Sequence, residues 1–82
     1  MTLHLDIVRQ CMARAMKLDA AAVSSITELT TAAQLPAWTS VTHLSLILEL
    51  EKTFKITFDN DEIVTLGSVA MILERLAAKG VK

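Results

Sequence analysis

The chain has 82 residues, of which 52% are hydrophobic, and its formal net charge is −1. This length predicts one small domain, and a charge so close to zero gives no general attraction to nucleic acid or anionic lipid. A single cysteine, no zinc-type spacing of Cys or His, and no basic-then-apolar leader predict a cytoplasmic monomer without disulfide, metal or membrane insertion.

The hydrophobic periodicity predicts an all-α fold with helices at about 3–17, 40–54, 60–64 and 67–79. A long ordered loop is expected over residues 19–39, because Ser, Thr and Pro36 interrupt the helical period there. Apolar side chains are expected to pin this loop to the core, namely Val23, Ile26, Leu29, Leu35 and Trp38. The short third helix follows an extended connector that buries Ile56 and Phe58.

The second predicted helix carries more apolar surface than one buried face requires. At about 100° per residue, one arc is expected to join the last helix in a single core, formed by Leu46, Ile47, Leu50, Phe54, Ile56, Val69, Ile72 and Leu73. Val41, Leu44 and Leu48 form a second apolar group on a different side. This group is either a docking surface or a set of residues buried against the long loop.

Ser40 stands at the junction between the long loop and the second predicted helix. A serine in this position has an accessible hydroxyl, and the helix N-terminus supplies free N–H groups and partial positive charge. These surroundings suit a phosphodiester on the serine oxygen. Ser40 or Thr39 is alternatively a plain N-cap residue, as in many helical proteins.

The segment around Ser40 and the residues after it resemble the acyl carrier protein family, the phosphopantetheine-binding carriers of acyl or peptidyl type. The resemblance covers nearly the whole chain and rests on Trp38-Thr39-Ser40-Val41, Leu50-Glu51, Phe54, Ile56, Phe58, Asp61-Glu62-Ile63 and Leu66-Gly67-Ser68-Val69. It departs from the family at Thr39, where an Asp implicated in docking the loading enzyme is usual, and at Val41, where Leu is usual. The outer face of the second helix is also nearly neutral where the family is acidic.

The resemblance implies a four-helix carrier bundle that is not itself an enzyme. A phosphopantetheinyl transferase would attach 4′-phosphopantetheine to Ser40, with Thr39 and Val41 flanking the arm. The thiol of the arm would hold acyl or aminoacyl groups for activating and transferring enzymes in fatty acid, polyketide or nonribosomal peptide biosynthesis. Those partner enzymes would dock on Val41, Leu44 and Leu48.

Two other functions compete with the carrier. One is a helical interaction module of the same fold that is never modified. The other is a small hydrolase that uses Ser40 and His43, although no acid that would orient the histidine is evident nearby. His43 is more simply interpreted as a partly buried, hydrogen-bonded side chain.

Three other residue types are interpreted as structural. Cys11 is expected to be a buried, inert thiol, and Trp38 is expected to anchor the loop over the core. Met12, Met16 and Met71 are expected to be adaptable core packing.

Overall fold

A computed structural model describes residues 3–80, which form five α-helices and one 3₁₀ turn and contain no β-strand. The α-helices are α1 (Leu3–Met16), α2 (Ala20–Ser25), α3 (Ser40–Phe54), α4 (Asn60–Thr65) and α5 (Val69–Ala78), and the 3₁₀ turn spans Ala32–Gln34. No helix in this part of the chain is long and apolar enough to cross a membrane. The prediction of an all-α fold is confirmed.

The predicted loop over residues 19–39 is not a plain loop, because it contains α2 and the 3₁₀ turn. Asp19 caps α2, with its carboxylate accepting a hydrogen bond from the N–H of Ala22 at 2.8 Å. Three alanines follow this cap, and alanine has the highest helix propensity. The prediction missed α2 because the helix has only six residues and ends in two serines.

Two long-range contacts hold the 19–39 segment against the helices. The guanidinium of Arg9 on α1 donates two hydrogen bonds, of 2.8 and 2.6 Å, to the carbonyl oxygen of Ile26, whose side chain is fully buried. Further along, Thr31 pairs with Ser68 in an isolated antiparallel bridge just before α5. Leu29 was expected to pin the segment, but this prediction is wrong because its side chain is 82% exposed.

The two longest helices end in the same way. Lys17 after α1 and Lys55 after α3 adopt left-handed backbone conformations, with φ of 55° and 56°. The next residue in each case, Leu18 or Ile56, donates its N–H to the carbonyl five residues back, at 3.1 and 3.2 Å. These are Schellman motifs, in which an apolar residue after the left-handed position packs back on the helix. Each motif turns the chain sharply at the C-terminal end of its helix.

One apolar core joins the helices, and α1 packs chiefly against α3. Its buried side chains are Leu5, Val8, Cys11, Met12, Met16, Ile26, Trp38, Leu46, Ile47, Leu50, Phe58, Leu66, Val69, Ile72 and Leu76. Of the expected core residues, Phe54, Ile56 and Leu73 are only partly buried and pack against its edge. Met71 was expected inside but is 42% exposed, so that prediction is wrong.

Glu62 joins α4 to α5 through its carboxylate. One oxygen accepts hydrogen bonds from the N–H of Asp59 at 2.8 Å and from the Lys79 ammonium at 2.9 Å. The other oxygen lies 3.5 Å from the Arg75 guanidinium. The bond from the Asp59 N–H, followed by the contact with Lys79, lowers the pKa of Glu62 from its ordinary value.

Candidate functional site

Ser40 is the first residue of α3, and it is not the residue that caps the helix. Thr39 is the N-cap, with its hydroxyl accepting the N–H of Thr42 at 3.2 Å. In return, the Thr42 hydroxyl accepts the N–H of Thr39 at 2.7 Å, which completes a capping box. The interpretation of Ser40 as a plain N-cap is therefore wrong, and its exposed hydroxyl is not required to close the helix end.

The capping box also forms a hydrogen bond with the segment before α3. The Thr42 hydroxyl also lies 2.6 Å from the carbonyl oxygen of Ala37, to which it donates. Trp38, between these residues, is 6% exposed and packs in the core. The expectation that Trp38 anchors this segment is confirmed. Ser40 thus follows a segment that is packed in the core and hydrogen-bonded to the first turn of α3.

A groove of about 510 Å³ opens beside Ser40. It runs between the start of α3, the residues before it, and α4 with the turn that follows. Its lining residues are Ala32, Trp38, Thr39, Ser40, His43, Leu44, Ile63, Val64, Leu66 and Gly67. None of these carries a formal charge when His43 is neutral, so the groove favours apolar or neutral groups.

His43 lies in the wall of this groove and is engaged on both ring nitrogens. The indole N–H of Trp38 donates to Nδ1 at 2.8 Å, and Nε2 lies 2.9 Å from the carbonyl oxygen of Ile63. The interpretation of His43 as a partly buried, hydrogen-bonded residue is confirmed. Since both nitrogens have partners, this geometry gives a Ser40–His43 catalytic pair no support.

The second apolar group on α3 faces solvent. Val41 is 74% exposed, Leu44 58% and Leu48 66%. Burial of these residues against the 19–39 segment, which was the simpler alternative, is therefore wrong. On α4, Val64 is 81% exposed and, like Leu44, lines the groove. The result is an exposed apolar face, comprising Val41, Leu44, Leu48 and Val64, that continues into the groove.

One acidic residue of α3, Glu49, forms an ion pair with an arginine of α1. Glu49 accepts a hydrogen bond of 2.8 Å from Arg14 of α1. This hydrogen bond raises the pKa of the Arg14 guanidinium above its ordinary value. The pairing of Glu49 with Arg14 agrees with the nearly neutral sequence of the outer face of α3.

Cys11 lies away from Ser40, within the core, and is fully buried. Its sulfur contacts the Thr53 hydroxyl and an Arg14 nitrogen, each at 3.5 Å. The expectation of a buried thiol is confirmed. No group of three or more potential metal ligands occurs within residues 3–80.

Sequence reasoning located Ser40 but did not find the groove. The far wall is formed by α4 and the turn after it, where Leu66 is 1% exposed and Gly67 accepts a hydrogen bond from the Ala32 N–H at 2.9 Å. The bond between Ala32 and Gly67 joins residues more than thirty positions apart, and no local sequence pattern signals it. The one sequence signal was the surplus of apolar residues on α3.

No protein-family model matches this chain, and the comparisons with curated proteins and with solved structures gave no match either.

Proposed function

We propose that the protein is a carrier whose Ser40 bears a 4′-phosphopantetheine arm. The observation that supports this most is the position of Ser40: it is exposed, it begins a helix of 15 residues, and a neighbouring residue supplies the cap. The partial positive charge of the helix start stabilises a phosphodiester at that oxygen. The adjacent apolar groove offers a surface on which the arm or its cargo can lie.

The loading reaction uses coenzyme A and a phosphopantetheinyl transferase. The Ser40 oxygen forms a bond to the phosphorus next to the pantetheine, and the pyrophosphate bond of coenzyme A breaks. The nucleotide bisphosphate leaves, and the hydroxyl proton passes to a base of the transferase. The thiol of the arm then carries an acyl or aminoacyl group as a thioester, which raises the effective concentration of the cargo at each partner enzyme.

In this proposal the fold is the four-helix carrier bundle. Helices α1, α3, α4 and α5 correspond to its four helices, and α2 is an additional turn within its long first loop. The protein itself catalyses no reaction and acts as a monomer in the cytoplasm. Activating and transferring enzymes dock on Val41, Leu44 and Leu48, which are the α3 residues of the exposed apolar face.

Loading is tested by intact mass after incubation with coenzyme A and a broad-specificity transferase. Wild type is expected to gain the mass of one phosphopantetheine, and Ser40→Ala is expected to gain none. Ser45→Ala on the same helix is the matched control, and it should load like wild type. An unmodified wild type, or a modified Ser40→Ala, would show that the proposal is wrong.

The second candidate is an unmodified interaction module. Its support is Thr39, which caps the helix but brings no negative charge, together with an apolar face that is exposed to solvent. The mass of the protein isolated from its native host separates the two. An added phosphopantetheine identifies a carrier, and the bare mass identifies a module.

A further inference from the structure

The two neighbours of His43 fix its tautomer. An indole N–H only donates hydrogen bonds, so Nδ1, 2.8 Å from the Trp38 nitrogen, must be the acceptor and carry no proton. A carbonyl oxygen only accepts, so Nε2, 2.9 Å from the Ile63 oxygen, must carry the proton. The ring is therefore neutral, with its single proton on Nε2.

The His43 ring, which belongs to α3, contacts the two other segments that form the groove. Trp38 belongs to the segment before α3, His43 to the first turn of α3, and Ile63 to α4. All three line the groove together with Ser40. The indole and imidazole rings also stack, with centroids 6.0 Å apart and planes inclined by 24°.

Protonation changes only one of the two hydrogen bonds. A second proton must enter at Nδ1, which is the atom that accepts from Trp38. Two N–H groups would then face each other across 2.8 Å, and the Trp38 bond would be lost. The Nε2–H bond to Ile63 is unaffected, since that nitrogen already donates. The change therefore removes the hydrogen bond between Trp38 and His43 and keeps the one that joins α3 to α4.

The surroundings offer no compensation for a positive charge on the ring. Residues 29–48, which supply the segment before α3 and more than half of the helix, include no Asp, Glu, Lys or Arg. The charged side chains on the contacting elements are Glu49, Glu51 and Lys52 on α3, and Asp59, Asp61 and Glu62 at α4.

These charged groups are directed elsewhere. Glu62 binds Lys79 and Arg75, and Glu49 binds Arg14. Glu51 accepts the N–H of Phe58, while Lys52, Asp59 and Asp61 are exposed. Within the described chain, no carboxylate lines the groove beside His43. A protonated His43 ring would therefore have no carboxylate beside it to pair with its positive charge.

We propose that His43 is a proton-sensitive latch on the groove beside Ser40. The neutral ring accepts the Trp38 indole N–H in the groove wall, and protonation breaks this hydrogen bond while the contact with Ile63 persists. The latch belongs to the unmodified chain and does not require that Ser40 carry an arm. Its test uses no transferase, so the outcome is independent of the carrier proposal.

The full-length chain is titrated downward from about pH 8, over the pH range in which the protein stays folded. Trp38 is the one tryptophan of the sequence, so its emission and its indole ¹H–¹⁵N resonance both report on this residue alone. Wild type is expected to show a reversible shift of the indole resonance and a red shift of the emission as the pH falls. Far-UV circular dichroism should stay unchanged over the same range.

Two asparagine variants provide the controls. His43→Asn keeps an acceptor near Nδ1 but has no proton to gain, so both Trp38 signals should stay constant. His4→Asn removes the other histidine, and its titration should match wild type. A flat wild-type titration, a transition that persists in His43→Asn, or one that disappears in His4→Asn would overturn the latch.

A direct measurement covers the case in which His43→Asn does not fold. The ¹⁵N shifts of the His43 ring in wild type at about pH 8 identify its tautomer. The proposal requires the neutral form protonated on Nε2. A ring protonated on Nδ1, or on both nitrogens, would overturn it whatever the variants do.

Discussion

Truncation of two leucines on the same helix tests which side of α3 is buried. Leu50 is fully buried and Leu48 is 66% exposed, although they lie two positions apart. Leu50→Ala should lower the free energy of unfolding by about 2–5 kcal/mol, because it removes buried methyl groups and leaves a cavity. Leu48→Ala loses only the buried third of a side chain whose full burial gives about 1.5–3 kcal/mol, so its cost should stay below about 1 kcal/mol.

The comparison is matched because both changes are Leu to Ala within one helix, where the gain in helix propensity is similar. The assay is urea unfolding at neutral pH, followed by the emission of Trp38, which is buried in the folded state. The slope of the transition is recorded, because a changed slope would signal a changed denatured state. If the two variants lose equal stability, or Leu48→Ala loses more, the buried side of α3 is wrongly assigned.

Three further expectations concern Thr39, Leu44 and Glu62. Thr39→Asp keeps a capping residue and adds the negative charge that ordinary carriers have, so it should load faster with a transferase adapted to acidic carriers; an equal or slower rate of mass gain contradicts this. Leu44→Glu should change the free energy of unfolding by less than about 1 kcal/mol yet slow transfer by a cognate partner, and wild-type transfer should respond little to salt. Unfolding of this variant, or undiminished transfer, argues against docking on the exposed apolar face. The lowered pKa of Glu62 stabilises the fold fully above the ordinary value of 4.5, and this stabilisation is lost as the pH falls through the lower folded value. Acid titration of Glu62→Gln by circular dichroism should therefore show a smaller loss of stability below that pH than wild type shows.

The sequence predicted α3 well because several local signals agree there. Thr39 is a good cap, the apolar arc repeats at helical spacing, and the predicted bounds of 40–54 match the observed helix. The end at Lys55 carries no glycine signal, yet the helix stops there because the half-buried Ile56 turns back onto the core. Agreement among local signals made this element predictable.

Features that depend on distant contacts were not predictable. Nothing near Leu29 or Met71 indicates that these apolar residues face solvent. The pairing of Thr31 with Ser68 joins two segments that share no sequence pattern. The groove needs α4 to lie beside the start of α3, and the third residue in the His43 network, Ile63, is twenty positions away. Local patterns in a single sequence do not indicate which distant residues come into contact.

The left-handed lysines at the ends of α1 and α3 have a consequence for engineering. A residue with a Cβ is strained in this conformation, by roughly 1–2 kcal/mol, whereas glycine adopts it freely. Lys17 and Lys55 are thus two positions at which a helix ends in a strained backbone conformation. Neither residue lines the groove or belongs to the exposed apolar face. Glycine at both positions should therefore raise the stability of the folded chain, while the surroundings of the groove and of Ser40 stay unchanged.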